Sequence, residues 1–241
     1  MSRLNDTLIE QYAEHYKRVN KVDVFSEMLP VKFLKNMQLM YGELISQVPH
    51  NGKVLDIGCG TGFLLSWLAA QKNIVPVGID SSGTQVEIAR SRLPTLEIIC
   101  GDGLNYLHQN PGTFVGIFCT DVLEHIPGED LCLTWVEAAW AALRPGGFFF
   151  CRVPNAANLT GTYSRYMDLT HQRSFTSTSL LQLLQAGGLQ NCRIVPIRAV
   201  HRSGKIRLML ETMLHRVIFR ICGRGLERVF TSNVCAVGFR K

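Results

Sequence analysis

The sequence predicts an α/β domain: a mostly parallel sheet with helices on both faces, a helical cap before it and a helical insertion before its last strand. Three observations carry that expectation. From residue 53 onward, short apolar runs rich in Val, Ile and Phe alternate with helical segments, the pattern of strand–helix–strand units. One such run, Val54-Leu-Asp-Ile57, passes directly into Gly58-Cys-Gly-Thr-Gly62 and then into a helix. The chain's 241 residues are 46% hydrophobic, enough for one sizeable core at roughly 150 residues per domain.

Each element follows from its own pattern. Residues 1–50 read as a helical cap, because Leu8, Tyr12 and Tyr16, then Phe33, Met37, Met40 and Leu44, recur at helical spacing around a break near Pro30. His15 shares a face with Tyr12 and Tyr16 and is a candidate to line an acceptor pocket, as is core packing for all three. Strands are expected at 54–57, 74–79, 96–100, 114–119, 148–153, 192–200 and 234–240. Helices are expected at 63–70, 85–92, 131–143 and 179–186, the last two stopping at Arg144-Pro-Gly-Gly147 and Gly187-Gly188. Residues 51–241 thus form the main domain, with 201–231 inserted between its last two strands. In such a sheet ligands bind at the carboxyl ends of the strands, where the glycine-rich and acidic residues fall.

Charge and composition remove several classes. The chain carries 25 Lys and Arg against 19 Asp and Glu, a net of +6. Residues 1–200 have a net of −1, residues 201–231 a net of +5 and the last ten a net of +2. A near-neutral main domain argues against a nucleic-acid groove across it. No apolar stretch approaches the roughly 18–20 residues of a membrane span, and the first residues lack the charged and apolar regions of a secretory signal. Eight cysteines occur without a C-x-x-C pair, mostly among apolar neighbours. They read as reduced thiols of a cytoplasmic protein.

The glycine loop narrows the ligand. Its spacing is G-x-G-x-G, not the G-x-G-x-x-G of a dinucleotide site, and Asp56 precedes it by two positions. A pyrophosphate at the helix N-terminus would be repelled by that acid, whereas a cationic ligand would not. These residues resemble the class I S-adenosylmethionine-dependent methyltransferases, particularly the ubiquinone-type and related small-molecule O-methyltransferases, over roughly residues 53–190. The resemblance implies a Rossmann-like sheet of seven strands with the last antiparallel, and S-adenosyl-L-methionine as cofactor. It places Asp56, Gly58, Cys59, Gly60 and Gly62 beneath the methionine portion. Asp80, with Ser81, matches the acid that binds both ribose hydroxyls, and Asp102-Gly103 the position whose acid accepts from the adenine amino group. Asp121-Val-Leu-Glu-His-Ile126 resembles the fourth motif, with Asp121 at the cofactor, and Leu143-Arg-Pro-Gly-Gly147 the turn before strand five.

Methyl transfer from a sulfonium needs alignment and exclusion of water. A hydroxyl acceptor also has to lose its proton, so a base or metal is expected nearby. Two groups qualify. In ubiquinone-type relatives a cluster similar to Asp121, Glu124 and His125 can hold a divalent cation, here magnesium or manganese; alternatively Asp121 lines the cofactor pocket while Glu124 and His125 cap the next helix. The second group lies in Tyr166-Met-Asp-Leu-Thr-His-Gln-Arg-Ser-Phe-Thr176, similar to a string in methyltransferases of polysaccharide pathways. There His171 is the candidate base, Asp168 its orienting partner, and Arg173 or Tyr166 a grip on the acceptor. The competing reading makes Asp168 and Thr176 helix caps and His171 a packing residue.

Cys119 lacks the Pro-Cys context of cytosine-modifying enzymes, and no Asn/Asp-Pro-Pro-aromatic string is present. Both points argue against methylation of nucleic-acid bases. In 201–231, Ile206, Met209, Leu210, Met213, Leu214, Val217, Ile218 and Ile221 recur at helical spacing. Arg216, Arg220, Arg224 and Arg228 fall every fourth residue. This segment reads as a lid, as a peripheral contact to anionic membrane, or as a basic surface for nucleic acid. The expected function is methylation of an oxygen on a small-molecule, glycan or lipid-linked acceptor. A non-catalytic cofactor-binding or regulatory module, an RNA-modifying methyltransferase and a dehydrogenase are the competing classes.

Overall fold

The computed structural model describes Leu8, residues 31–225 and residues 227–241. The reading of Tyr12, His15 and Tyr16 lies outside the described residues. In chain order the elements are α1 (Val31–Ser46), β1 (Gly52–Ile57), α2 (Phe63–Ala69), β2 (Ile74–Asp80), α3 (Gly83–Arg92), β3 (Glu97–Cys100) and α4 (Gly103–Gln109). There follow β4 (Phe114–Thr120), a 3-10 turn (Leu123–His125), α5 (Glu129–Ala142), β5 (Leu143–Pro154), α6 (Gly161–Tyr166), α7 (Ser177–Ala186), β6 (Gln190–Ile194), α8 (Arg202–Ile221) and β7 (Asn233–Phe239).

The seven strands form one sheet in the order β3-β2-β1-β4-β5-β7-β6. Strands β1 to β5 pair in parallel, and β7 runs antiparallel to both β5 and β6. This is the α/β architecture the strand–helix alternation predicts. Side chains on a strand point alternately to opposite faces, and both faces here are apolar. Phe149, Cys151 and Val153 of β5 join Trp135, Val136, Ala139, Leu180 and Leu184 of α5 and α7 in one core layer. Phe148 and Phe150 join Tyr41, Leu44, Ile45, Leu65 and Leu68 of α1 and α2 in the other. Tyr41 sits edge-on to Trp67, Phe118 and Phe150. The described part of the expected cap therefore covers the sheet as a layer helix.

Several elements differ from expectation for local reasons. Strand β6 ends at Ile194, although a strand to Val200 is predicted, because Pro196 has no N–H for the ladder. Helices α4 and α6 were not expected: each is too short to show apolar periodicity. Strand β5 begins at Leu143, which pairs with Phe114 ahead of a register shift. All eight cysteines are free thiols, five of them buried, and Cys119 is a core residue. No helix among the described residues is long and apolar enough to cross a membrane.

Candidate active site

The glycine loop folds onto the end of β2. Gly58, Gly60 and Gly62 have φ of 70°, 52° and 85°, the left-handed region that glycine adopts without penalty. A Cβ on Gly58 would stand 2.4 Å from Val122 Cγ2, so the loop lies directly against the turn after β4. Gly58 N and Cys59 N donate to Ile79 O at 2.9 and 3.1 Å. Gly60 N donates to Asp80 Oδ2 at 2.8 Å, and Ser82 N to Asp80 Oδ1 at 2.9 Å. The Asp80 carboxylate is thus oriented by backbone N–H groups of the glycine loop and of Ser82. Ser81 is exposed beside it.

Asp56 is 1% exposed, and its Oδ1 has no hydrogen-bond partner among the described residues. Burial, reinforced by the charge of Asp80, raises its pKa well above the usual carboxylate range. A buried acid with an orphaned oxygen is costly unless a ligand supplies a donor or a positive charge. The pair Asp56 and Asp80 therefore fits S-adenosylmethionine, which carries an ammonium, a sulfonium and ribose hydroxyls. The side chain of Cys59 turns into the core, where a Cβ on Gly78 would meet its sulfur at 3.0 Å. Gly103 is a packing residue, since a Cβ there would stand 2.7 Å from Trp135 Cη2. Asp102 caps α4 by accepting from Asn105 N at 2.8 Å.

The turn after β4 and the loop after β5 bring the other candidates together. Asp121 has φ of 57° and is held on three sides by one residue. Its N–H donates to Arg152 O at 2.9 Å, and the Arg152 guanidinium grips both of its carboxylate oxygens, with Nε at 3.0 Å from Oδ1. Sequence reasoning missed Arg152, although a lone cation inside the apolar run Phe148–Val153 is its signal. Glu124, His125 and His171 instead form a cluster whose ligand atoms lie within 4.8 Å of one another, and Asp121 is not part of it.

Hydrogen bonding fixes the tautomers in that cluster. Thr170 O–H donates to Asp168 Oδ1 at 2.6 Å and Thr170 N–H to the same oxygen at 2.8 Å. The hydroxyl's one proton being used, His125 Nδ1–H must donate to Thr170 Oγ1, 2.8 Å away, and Nε2 bears the lone pair. His171 Nδ1 faces Ser164 O at 2.8 Å, an acceptor only, so it too donates, and Nε2 is the ring nitrogen left to face a ligand. The two rings meet edge-on with centroids 4.8 Å apart. Asp168 thus orients His125 through Thr170, not His171 directly as the sequence suggests; the Ser164 carbonyl holds His171.

Burial, and then the neighbouring His171, lower the pKa of His125 to about 4. Burial, and then the charge of Asp121, raise Glu124 well above the usual range, and its Oε2 has no partner among the described residues. Burial opposes ionisation of Asp168, but the hydrogen bonds from Thr170 outweigh it and lower its pKa. Arg173 and Tyr166 stand apart: Arg173 reaches Glu129 at 3.8 Å, and Tyr166 is 70% exposed under the Arg165 guanidinium. Thr176 is the N-cap of α7, in a capping box with Ser179.

A seven-stranded sheet of this order, with a glycine loop folded onto an acid at the end of its second strand, defines the class I S-adenosylmethionine-dependent methyltransferases. Residues 32–194 match the family model described as a methyltransferase domain, and the chain belongs to that family. It is 30% identical over 136 residues to a ubiquinone biosynthesis O-methyltransferase of Vibrio atlanticus (strain LGP32), covering 53% of this chain and 54% of the relative. It is 28% identical over 192 residues to the enzyme of that name from Idiomarina loihiensis, covering 71% and 75%. The chain thus spans about half the length of the first of these relatives. Among solved structures it is similar to a SAM-dependent methyltransferase from Archaeoglobus fulgidus, with a TM-score of 0.63 and 17% identity over 86% of this chain and 94% of that one. A phosphoethanolamine N-methyltransferase of Haemonchus contortus aligns with a TM-score of 0.65 and 14% identity, over 100% of this chain and 61% of that one.

Proposed function

We propose that the protein methylates a hydroxyl oxygen of a small-molecule, glycan or lipid-linked acceptor, with His171 as the base. The observation that carries this reading is the pair of imidazoles, His125 on the turn against the glycine loop and His171 on the loop after β5, whose rings meet edge-on. Bound S-adenosylmethionine supplies a methyl group activated by its sulfonium. The residues to hold it are the loop 58–62, Asp56, Asp80, Ser81 and Asp102. His125, at about 4, is too weak a base to draw a proton from a hydroxyl at neutral pH. The role falls to His171, whose Nε2 is set by the Nδ1–H bond to Ser164. Asp168, held ionised by Thr170, favours the positive charge that builds on the imidazole pair as the acceptor's proton arrives. The relatives named for O-methylation in ubiquinone biosynthesis support oxygen as the acceptor atom. Exposed Tyr163, Tyr166 and Leu169 offer an acceptor with an apolar body something to lie against.

The same cluster is the set that could hold a cation. One carboxyl group and two imidazoles are poorer in oxygen than magnesium or manganese takes. Our reading is therefore independent of metal, and chelation by EDTA is expected to leave turnover unchanged. The decisive experiment scores methyl transfer from labelled S-adenosylmethionine to phenolic, sugar and lipid-linked sugar hydroxyls. His171→Ala is expected to lower turnover at least about 100-fold with cofactor affinity by calorimetry unchanged. Label found only in amines or RNA would overturn oxygen as the acceptor, and an undiminished rate in His171→Ala would remove His171 as the base. Tight cofactor binding without turnover on any acceptor would favour the non-catalytic module.

A further inference from the structure

Helix α8 docks through Glu211, His215 and Phe219 and leaves most of its apolar stripe outward. Its docking contacts combine hydrogen bonds with aromatic packing, Phe219 meeting Phe230 edge-on with centroids 4.8 Å apart. Glu211 accepts from Asn158 Nδ2 at 2.9 Å, and His215, 3% exposed, accepts from Leu159 N–H at Nε2, also at 2.9 Å. His215 Nδ1–H closes the arrangement on Glu211 O at 2.7 Å. At about 100° per residue, the opposite side of the helix carries Met209, Leu210, Met213, Leu214, Val217 and Ile221. These six are 55%, 58%, 56%, 55%, 56% and 80% exposed. A helix that served only as a lid would bury this stripe and expose its acids. Here the reverse holds.

The charges follow the same division. Of the nine charged residues in 201–231, both acids are engaged on the domain side. Glu211 meets Asn158, and Glu227 accepts from Ser177 Oγ and from the N–H groups of Arg228 and Val229. The outward side is left with cations alone: Arg202, Lys205, Arg216 and Arg220 border one edge of the apolar stripe and Arg207 the other, all exposed. On the edge with the larger share lies a groove of about 550 Å³, lined by Leu208, Met209 and Met213 together with Arg198, Lys205 and Arg216. Cations over an apolar trough match an anionic headgroup and the start of its acyl chains.

We propose that α8 seats the protein on an anionic lipid bilayer, lying in the interfacial plane with its apolar stripe among the acyl chains. Charge complementarity selects this occupant. A two-fold pairing of the stripe with a second copy would bring one basic edge toward another. An anionic surface meets both edges favourably, and an apolar stripe bordered by cations is the form of an interfacial helix. The helix does not cross the bilayer, being insufficiently apolar to do so. The hydrogen bonds of Glu211 and His215 to 158–159 make it a firm attachment for the domain.

The test is co-sedimentation of the full chain with vesicles of phosphatidylcholine alone, and of phosphatidylcholine with one third phosphatidylglycerol. Partitioning onto the anionic vesicles is expected to be at least about tenfold stronger and to weaken as salt rises. The double change Leu210→Asp and Leu214→Asp alters only exposed side chains and is expected to abolish binding with the far-UV circular dichroism unchanged. Arg216→Glu with Arg220→Glu is expected to remove the preference for anionic vesicles. No binding, or equal binding to neutral vesicles, overturns the proposal. So does a dimer in sedimentation velocity that the leucine changes disperse without any vesicle binding, or RNA binding that they leave intact in its absence.

Discussion

His125 is where a single residue's environment is most measurable. Its pKa is lowered to about 4, burial being the main cause and the neighbouring His171 the second. The unfolded chain takes up this proton near pH 6.5 and the folded protein only near 4, so His125 costs stability as pH falls through that window. The cost at pH 5 is about 2 kcal/mol. Asp56 and Glu124, whose pKa values are raised, act in the opposite direction, so the test is a difference. Urea unfolding of wild type and His125→Asn at pH 7.5 and 5 should show wild type losing about 2 kcal/mol more than the variant; parallel changes would mean that His125 protonates as readily folded as unfolded. The individual site residues were legible to different degrees. Asp56, the loop glycines and Asp80 were singled out because a glycine loop between strand and helix is a local pattern. Thr170 and Arg152 were not assigned, because their partners His125 and Asp121 lie 45 and 31 residues away in sequence. Only the sheet brings them together.

At the scale of elements, the central strands were legible because they are buried on both faces and read as unbroken apolar runs. Gly116 in the middle of β4 shows what such a run conceals. It sits opposite Phe148 on β5, just past the register shift, and a Cβ there would stand 2.4 Å from that ring. The glycine is a seat for the aromatic ring of the neighbouring strand, and Phe148 in turn packs edge-on against Phe118. Gly116→Ala would force a ring in a filled core to move, at a cost of about 1–3 kcal/mol. The midpoint of urea unfolding should fall accordingly, and an unchanged midpoint would show that the core layer yields freely. Short elements were the ones the sequence concealed. Helix α4 spans seven residues and is started by the Asp102 cap rather than by an apolar stripe. The same aspartate was read for its chemistry, and its role as a cap was overlooked.

At the scale of the whole sheet, strand β7 is the closing element. Strand β7 lies between β5 and β6, so the sheet is incomplete until residues 233–239 are in place. Arg240 then ties the chain end to the far layer. Gly146 N donates to its carbonyl at 2.7 Å and its own N–H to Gly147 O at 2.9 Å. Its guanidinium donates to Trp140 O at 3.2 Å, Ala141 O at 2.9 Å and Leu143 O, and lies 4.4 Å from the centroid of the Trp140 ring. Carbonyls at the end of α5 have no partners within the helix, and a cation is the favourable partner for that negative end. Of the net +2 in the last ten residues, one charge is thus spent inside the fold, which sharpens the contrast between a near-neutral body and the basic segment at α8. Arg240→Ala should lower unfolding free energy by about 2 kcal/mol, the worth of a charged hydrogen-bond donor. Lys241→Ala, at an exposed terminus, should stay within about 0.5 kcal/mol of wild type. Urea unfolding of the two variants side by side makes the comparison, and equal effects would show that β7 needs no anchor beyond its own ladder.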